Sequence, residues 1–259
     1  MPELLEVESY AGLAAGVVGR EITEVDAHDE WYLKKSTTRE QLLAELPGLI
    51  VEGVRRIGKL LLIDTDGPVI GLRFGMTGRL LVDGSPSIAQ LEYSSRRSDP
   101  AWVRFALEFR DGGRLSINDP RRLGGVELDP DEALLGPDAV SVTVQDLVKR
   151  ISGSRAAVKA VLLDQHRVSG LGNLLVDEVL WRVGIAPMRA SCELTDLELE
   201  ALHTTIGETI RVLRERGGSH TGDLQSSRTA GATCPRDGAP LLHDTVGGRS
   251  TWWCPLHQA

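Results

Sequence analysis

The amino-terminal residues could act as a covalent catalyst. The chain opens Met1-Pro2-Glu3, and because a small residue follows the initiator methionine, we expect Met1 to be removed and Pro2 to become the amino terminus. The resulting secondary amine is a nucleophile that can attack a carbonyl-like carbon and hold it as an iminium. An ordinary α-amino group titrates near about 7.7–8.0, so only a small lowering of its pKa is needed at neutral pH. Many unrelated chains also begin Met-Pro, so other residues must support this interpretation.

A second group of residues has the spacing of a metal site. Two residues separate Cys234 from Asp237, two separate Cys254 from His257, and sixteen lie between the pairs. Two such pairs on a hairpin are typical of a structural tetrahedral zinc site, for which Cys, Asp and His are all acceptable ligands. Two alternatives remain open: His243 replaces one of the four ligands, or the hairpin holds no metal and packs on its own tryptophans.

A third candidate is the glycine-rich segment 170–173, which reads Gly-Leu-Gly-Asn and precedes a helical pattern. Glycines there would let the backbone approach a phosphate, and the helix amides and dipole favour an anion. The side-chain amide of Asn173 could donate to the same phosphate. A plain glycine turn ahead of a helix is the alternative.

Length and composition limit the class of protein. A chain of 259 residues with 41% hydrophobic content suits one large domain or two modest ones. We find neither an apolar run of about 18 residues nor a charged and then apolar leader, so we expect no membrane span, no secretory signal and a cytoplasmic location. Three cysteines are an odd count, which argues against a disulfide framework.

The charge distribution gives conflicting indications about a nucleic-acid partner. The formal net charge of −8 does not favour binding to phosphates, which requires clustered cations. Two local basic clusters lie at Arg55, Arg56 and Lys59 and at Arg121 and Arg122. Local field matters more than net charge, so these clusters keep a nucleic-acid partner possible.

These candidates must be positioned by two differently built regions. Helical spacing over 4–18 places Val7, Tyr10, Ala14 and Val17 on one face, so Pro2 would lie at a helix start. From about 20 to 127, short apolar runs separated by turns predict a β-sandwich or barrel, with strands near 48–54, 60–63, 69–74, 80–82, 103–109 and 115–117.

A segment rich in Asp, Pro and Gly at about 128–143 predicts a linker, after which the helical period returns. We predict helices over 144–152, 155–164, 173–183 and 196–216. The last begins with the capping box Thr195-Asp196-Leu197-Glu198. A polar loop to about 231 and a short hairpin with its tip at 246–249 complete the chain.

Several motifs, in order along essentially the whole chain, resemble one known family. They are the opening 2–8, the segments 55–59, 75–78, 118–122 and 170–173, and the terminal hairpin. Together they resemble the Fpg/Nei family, the formamidopyrimidine and endonuclease VIII-type DNA glycosylases. The resemblance implies an α+β fold with an N-terminal helix plus β-sandwich, and a C-terminal helix-two-turn-helix domain with a zinc-finger-like β-hairpin. The domains would be a catalytic sandwich at 1–128, a linker at 129–143, a helix-two-turn-helix domain at 144–218, and a loop and hairpin at 219–259.

The resemblance also implies roles for individual residues. Pro2 matches the nucleophile that attacks C1′ of a damaged nucleoside and holds the opened sugar as a Schiff base. Glu3 matches the acid-base residue, for which an ordinary surface carboxylate at a helix start is the alternative. Glu6 matches a second acid, and Lys59 matches a strand lysine that contacts phosphate near the lesion.

Further roles concern contacts with DNA. Asn173 and Arg249 match the family's phosphate-binding residues, the arginine by a bidentate grip. Met76, Arg121 and Leu123 fall where the family inserts three side chains into the space left by the everted base; a core methionine and a core leucine are the alternatives. The ligands Cys234, Asp237, Cys254 and His257 would hold structural zinc, and no organic cofactor is implied.

The implied activity is base-excision repair by a DNA glycosylase with AP-lyase activity. It would remove oxidised bases and nick the strand by β- and δ-elimination. The partner would be double-stranded DNA containing oxidised bases or abasic sites, bound by a nucleoid-associated monomer with no membrane contact. One alternative is a non-catalytic protein that binds damaged DNA or abasic sites on the same scaffold. Another is a zinc-stapled interaction domain without a DNA role.

The sequence departs from the family pattern at three places. Leu5 replaces a proline of the opening run, and Asp237 and His257 replace cysteines. The loop 219–232 is short and reads His-Thr-Gly-Asp at 220–223, unlike the longer loop that covers an oxidised purine in the Fpg branch. The sequence therefore does not specify the lesion.

Overall fold

The structure is a computed structural model that describes residues 2–88 and 99–259. The chain forms two compact units, Met1–Glu132 and Ala133–Ala259. Met1, whose removal the sequence leads us to expect, lies outside the described residues.

The first unit is a β-sandwich preceded by a helix. Over the described residues, one antiparallel sheet has the order β1-β7-β8-β5-β6 and the other has the order β2-β3-β4-β9. Side chains from both sheets, such as Ile63, Phe105 and Leu115, are buried in one hydrophobic core. The predicted sandwich is confirmed. The elements are α1 (Leu4–Ala14), β1 (Ile22–Asp26), α2 (Arg39–Glu45), β2 (Val51–Ile57), β3 (Leu60–Thr65), β4 (Ile70–Arg73), β5 (Arg79–Val82), β6 (Ser85–Pro86), β7 (Val103–Phe109), β8 (Arg114–Asn118) and β9 (Gly125–Leu128).

Helix α1 fixes the amino terminus to the sandwich. The four residues predicted to share its apolar face are all buried, and a 3₁₀ turn at Ala15–Val17 ends the helical segment. The Tyr10 hydroxyl donates to the Gly78 carbonyl at 3.1 Å, and its ring lies 4.6 Å from the Phe74 ring centroid. Burial raises the pKa of Tyr10 far above its ordinary value. This contact connects α1 directly to the loop between β4 and β5.

Some short elements of the first unit have no clear sequence signal. Helix α2 has one buried residue, Leu42, too few for an apolar period to be visible. Its start is set by Thr38, whose hydroxyl accepts from Gln41 N at 3.2 Å. Strands β1 and β9 are four or five residues long and are defined by pairing with distant strands.

The second unit is helical and ends in a hairpin. Its elements are α3 (Val144–Ile151), α4 (Val158–Leu163), α5 (Asn173–Val183), α6 (Asp196–Arg216), β10 (Leu242–Val246) and β11 (Arg249–Trp253). Four helices are thus confirmed near their predicted positions. Helix α4 begins three residues later than predicted, because Ala157 is extended and bridges to Ala190.

Local signals set the ends of α6 and the turn of the hairpin. Glu198 Oε2 accepts from Thr195 N at 2.7 Å, and Thr195 Oγ1 accepts from Glu198 N at 3.3 Å, which confirms the capping box. Gly247 and Gly248 have φ of +60° and +70°, as a two-residue type I′ hairpin turn requires. Within the described part of the chain, no helix combines the length and apolar character needed to cross a membrane.

Candidate functional site

The amino terminus is buried and held by its own helix. Pro2 is buried, and the side chains of Glu3 and Glu6 belong to residues that are only 0% and 4% exposed. Glu6 Oε2 accepts a hydrogen bond from Glu3 N at 2.8 Å, which fixes the backbone that leads to Pro2. Glu3 is therefore not the exposed carboxylate that helix starts often carry. Leu5 is 6% exposed, so it packs in the interior.

The basic cluster at 55–59 contains an arginine that is paired with acids and a half-buried lysine in a turn. Arg55 donates to Asp64 Oδ2 at 2.9 Å and to Glu132 Oε1 at 2.6 Å, and these hydrogen bonds raise the pKa of Arg55. The expectation that Lys59 lies in a strand is wrong. Lys59 is half-buried in the two-residue turn between β2 and β3, where Gly58 has a φ of +58°.

Two loops of the first unit bring the three expected duplex-inserting residues together. A Cβ on Gly75 would lie 2.4 Å from the Leu123 carbonyl carbon, so the two backbones are in direct contact. Met76 is half-buried, Arg121 is exposed, and Leu123 is 50% exposed. Leu123 is thus not a core leucine.

The second basic cluster also divides by contact. Arg122 has a φ of +55°, in the left-handed region, and its guanidinium pairs with the buried Asp29 at 2.5 Å. Arg121 and Arg122 are both exposed, so the ion pair of Arg122 and not burial distinguishes them. Sequence proximity therefore does not give the two arginines the same role.

The glycine-rich segment 170–173 leads directly into the first residue of α5. Gly170 has a φ of +106°, and Gly172 is the N-cap of the helix that begins at Asn173. Asn173 Nδ2 donates to the Ser250 carbonyl at 3.0 Å. Because an amide nitrogen carries two hydrogens, this bond leaves one for another acceptor.

The tip of the hairpin formed by β10 and β11 lies against α4 and the start of α5. A Cβ on Gly247 would be 2.9 Å from the Ala160 Cβ, so the turn packs closely on α4. Arg249 follows this turn and is exposed. The Ser250 carbonyl accepts from both Asn173 Nδ2 and Lys159 Nζ, the latter at 3.0 Å. The fold thereby places Asn173 beside the residue that follows Arg249.

A buried ionic network that the sequence did not predict supports this arrangement. Lys159 and Asp177 have side chains 0% and 1% exposed and are paired at 2.6 Å. Lys159 Nζ also donates to Thr251 Oγ1 at 2.7 Å, and Arg228 pairs with the other oxygen of Asp177. Burial raises the pKa of Asp177, and the two cations oppose that shift. The sequence carries no distinguishing signal for this network, because α5 also has other charged residues and nothing local marks Asp177 as the partner of Lys159.

The short loop 219–232 is fixed by a second buried carboxylate. Glu178, 2% exposed, accepts from the backbone amides of Asp223 and Leu224 at 3.0 and 2.9 Å. Arg182 donates to Glu178 Oε1 at 2.7 Å and to Asp223 Oδ2 at 2.7 Å. The loop conformation is thus determined largely by α5.

The four expected metal ligands converge. One ligand atom from each lies within 4.8 Å of all the others in the group Cys234, Asp237, Cys254 and His257. His257 Nε2 lies 3.1 Å from the Trp181 carbonyl, and this contact orients the ring so that Nδ1 faces the other three ligand residues. His243 contacts Ser250 Oγ and stacks on a tryptophan instead, so it does not replace a ligand. These residues fit a four-coordinate cation.

The surroundings of the group favour ligation. The Ala239 backbone N–H, together with His257, lowers the pKa of Asp237 to about 2, which keeps this carboxylate ionised well below neutral pH. The Trp181 Nε1–H donates to Cys234 Sγ at 3.3 Å, a contact that stabilises a thiolate. Burial raises the pKa of Cys254, so a bound cation would be needed to favour its thiolate.

Both units match known protein domains. Residues 1–126 match the formamidopyrimidine-DNA glycosylase N-terminal domain, and residues 135–224 match the formamidopyrimidine-DNA glycosylase H2TH domain. The formamidopyrimidine-DNA glycosylase of Chloroflexus aurantiacus is 33% identical over 100% of this chain and 98% of its own. That of Cereibacter sphaeroides is 35% identical over 100% of both chains.

Solved structures agree with the sequence matches. Lactococcus lactis Fpg bound noncovalently to DNA containing an AP site has a TM-score of 0.83, 28% identity and 99% coverage of both chains. The same organism's Fpg with DNA containing an oxidised pyrimidine has a TM-score of 0.82, also with 28% identity and 99% coverage. The class defined by fold and relatives is that of base-excision repair DNA glycosylases. The chain belongs to the formamidopyrimidine-DNA glycosylase family.

Proposed function

We propose that the protein is a bifunctional DNA glycosylase and AP lyase that removes oxidised bases from double-stranded DNA. The observation that carries the proposal is the buried amino-terminal turn, in which Glu6 holds the Glu3 backbone directly after Pro2. Removal of Met1 would make Pro2 a secondary amine aimed by a rigid helix start. Glu3 is the neighbouring group able to donate and accept the proton.

In the proposed reaction, the Pro2 nitrogen forms a bond to C1′ while the bond from C1′ to the damaged base breaks and the base leaves with the bonding electron pair. Glu3 accepts the proton that the Pro2 nitrogen loses. Glu3 then protonates the ring oxygen as the bond from C1′ to that oxygen opens, which gives the iminium. Loss of a C2′ proton breaks the bond from C3′ to its phosphate oxygen, and loss of a C4′ proton breaks the bond at C5′. These are the β- and δ-eliminations that nick the strand.

The remaining proposed roles are in DNA binding. Lys59, Asn173 and Arg249 would contact phosphates, since each supplies hydrogen-bond donors on a turn or at a helix start. Met76, Arg121 and Leu123 would fill the space left by an everted base. The exposed Leu123 and the direct contact between its loop and that of Met76 support this assignment.

We also propose that the ligand group holds one structural zinc ion. Four protein ligands leave no open coordination position, so the ion would stabilise the hairpin that carries Arg249 and would take no part in the chemistry. Native mass spectrometry of the purified chain should show one zinc per molecule. Absence of bound metal in protein purified without chelator would contradict the assignment.

Borohydride trapping tests the enzymatic proposal. Wild-type protein incubated with a duplex containing an abasic site or an oxidised base should give a covalent adduct, and peptide mapping should place the sugar on Pro2. A retained Gly-Ser extension before Pro2 should abolish the adduct, because the amine is blocked by a peptide bond. Proteolytic removal of the extension to regenerate Pro2 is the matched control and should restore it. An adduct that persists with the extension, or that maps to Lys59, would contradict the proposal.

Duplex binding without trapping or nicking would instead indicate a non-catalytic binder of damaged DNA. The logarithm of the association constant should fall linearly with the logarithm of the salt concentration, because phosphate contacts release counterions. Absent or salt-insensitive binding would leave only an interaction domain.

A further inference from the structure

A single buried carboxylate joins the two loops that carry the expected duplex-inserting residues. Asp119 directly follows β8 and is 0% exposed. Its Oδ1 accepts from Thr77 Oγ1 at 2.5 Å, and its Oδ2 accepts from Leu123 N at 3.0 Å and Gly124 N at 2.9 Å. Arg121 N also donates to Oδ1, at 3.2 Å. One side chain therefore contacts both the 75–78 loop and the 119–124 loop.

The position of Asp119 is itself fixed. Arg104 Nε donates to the Asp119 carbonyl at 2.9 Å, and Arg104 Nη1 lies 3.5 Å from Asp29 Oδ2. Tyr32 packs nearby, and its pKa is raised by burial and by the Asp119 carboxylate. A buried carboxylate is costly unless donors surround it, and here hydroxyl and backbone donors do so.

The contacts of the 119–124 loop distinguish its side chains. The left-handed backbone at Arg122 and its ion pair with the buried Asp29 tie that guanidinium to its own unit, although the side chain stays 46% exposed. Arg121 and Leu123, on either side, stay exposed while their amides are held by Asp119. In the 75–78 loop, the hydrogen bond from Thr77 to Asp119 fixes the residue that directly follows Met76.

We propose that Asp119 is a positioning residue that holds Met76, Arg121 and Leu123 at a fixed mutual spacing, so that they enter the duplex as one rigid group. The proposal rests on the proposed function. A rigid group is needed when a base must be everted from a paired stack and the space refilled. It is not needed when the target nucleotide is already unpaired and outside the stack. Asp119 therefore acts on eversion and not on the covalent step.

The test compares two substrates that carry the same oxidised base, one within a paired duplex and one in a single-nucleotide bulge. Asp119→Asn keeps the shape but replaces one accepting oxygen with a donor, which leaves loop amides without an acceptor. Such an orphaned contact should reduce the single-turnover rate on the paired substrate by about 10- to 100-fold. The rate on the bulged substrate should change by less than about threefold, within the range of a minor contact.

Two further variants make the result specific. Thr77→Val removes one hydrogen bond to the same carboxylate and should show the same substrate selectivity in a milder form, even where Asp119→Asn fails to fold. Asp111→Asn is the matched control, because Asp111 Oδ1 accepts a loop amide, Gly113 N at 2.9 Å, at the other end of β8. It should leave both rates unchanged.

Equal losses on both substrates, or no loss on either, would overturn the positioning role. A wild-type protein that is inactive on both substrates would instead reject the proposed function, and this inference with it. The two failures are thus distinguishable from the wild-type lane alone.

Discussion

The buried network around Asp177 gives a sharp prediction, because two cations meet one carboxylate. Lys159 and Arg228 both pair with Asp177, and the three side chains are 0%, 7% and 1% exposed, respectively. Asp177→Asn would leave two buried cations facing each other. Breaking a buried pair in this way costs about 3–5 kcal/mol of unfolding free energy.

Removal of Lys159 should cost less than removal of its partner. Lys159→Met leaves Asp177 paired with Arg228, and the Ser250 carbonyl keeps the hydrogen bond from Asn173. The cost is then mainly that of the Thr251 and Asp177 contacts, about 1–3 kcal/mol. The ordering of the two variants follows from counting charges, independently of the absolute values.

Equilibrium unfolding in urea, followed by tryptophan fluorescence and circular dichroism, measures both losses, with each unit's transition fitted separately. Glu215→Gln is the control, since its pair with Arg211 at 3.0 Å has side chains 65% and 62% exposed and contributes about 0–1 kcal/mol. Equal destabilisation by Asp177→Asn and Lys159→Met, or a loss below about 1 kcal/mol for Asp177→Asn, would refute the reasoning.

Three other perturbations have defined outcomes. His257→Ala should lose bound zinc and lower the thermal midpoint of the second unit, whereas His243→Ala should retain zinc, as metal analysis and calorimetry would show; equal zinc contents would contradict the ligand set. Bidentate hydrogen bonds from Arg189 lower the pKa of Glu198 from 4.5 to about 2, so its stabilising effect is present above about pH 4.5 and is lost as pH falls toward 2. Because the Glu198 side chain is 32% exposed, solvent screening reduces this contribution to about 1 kcal/mol. The difference in unfolding free energy between the wild type and Glu198→Gln should therefore shrink steadily as the pH falls. A difference that does not vary with pH would contradict this prediction. Gly75→Ala should destabilise the protein more than Gly84→Ala. Both glycines have positive φ, but only a Cβ on Gly75 would lie 2.4 Å from another backbone, that of Leu123. Similar unfolding midpoints for the two variants would show that the loops carrying Gly75 and Leu123 are not in tight contact.

Local sequence signals were sufficient for many elements and some site residues. The helical period of α1, the capping box of α6 and the Gly247-Gly248 turn each depend on residues within one or two turns of the chain. The paired spacing of the ligand residues also brought its four members together as expected. Such features are visible because their physical cause is short-range.

The roles of individual charged residues depended on the tertiary structure. Arg55 and Arg122 looked like members of basic clusters, yet each is paired with acids as far as 77 or 93 residues away. Lys159 and Asp119 had no distinguishing signal, because what matters is the set of donors and acceptors that folding collects around them. The sequence by itself therefore determined the helices other than α2, the main strands, the metal-type hairpin and the family resemblance. Only the tertiary structure decided which charges are buried and paired, since those pairings join residues that are remote along the chain.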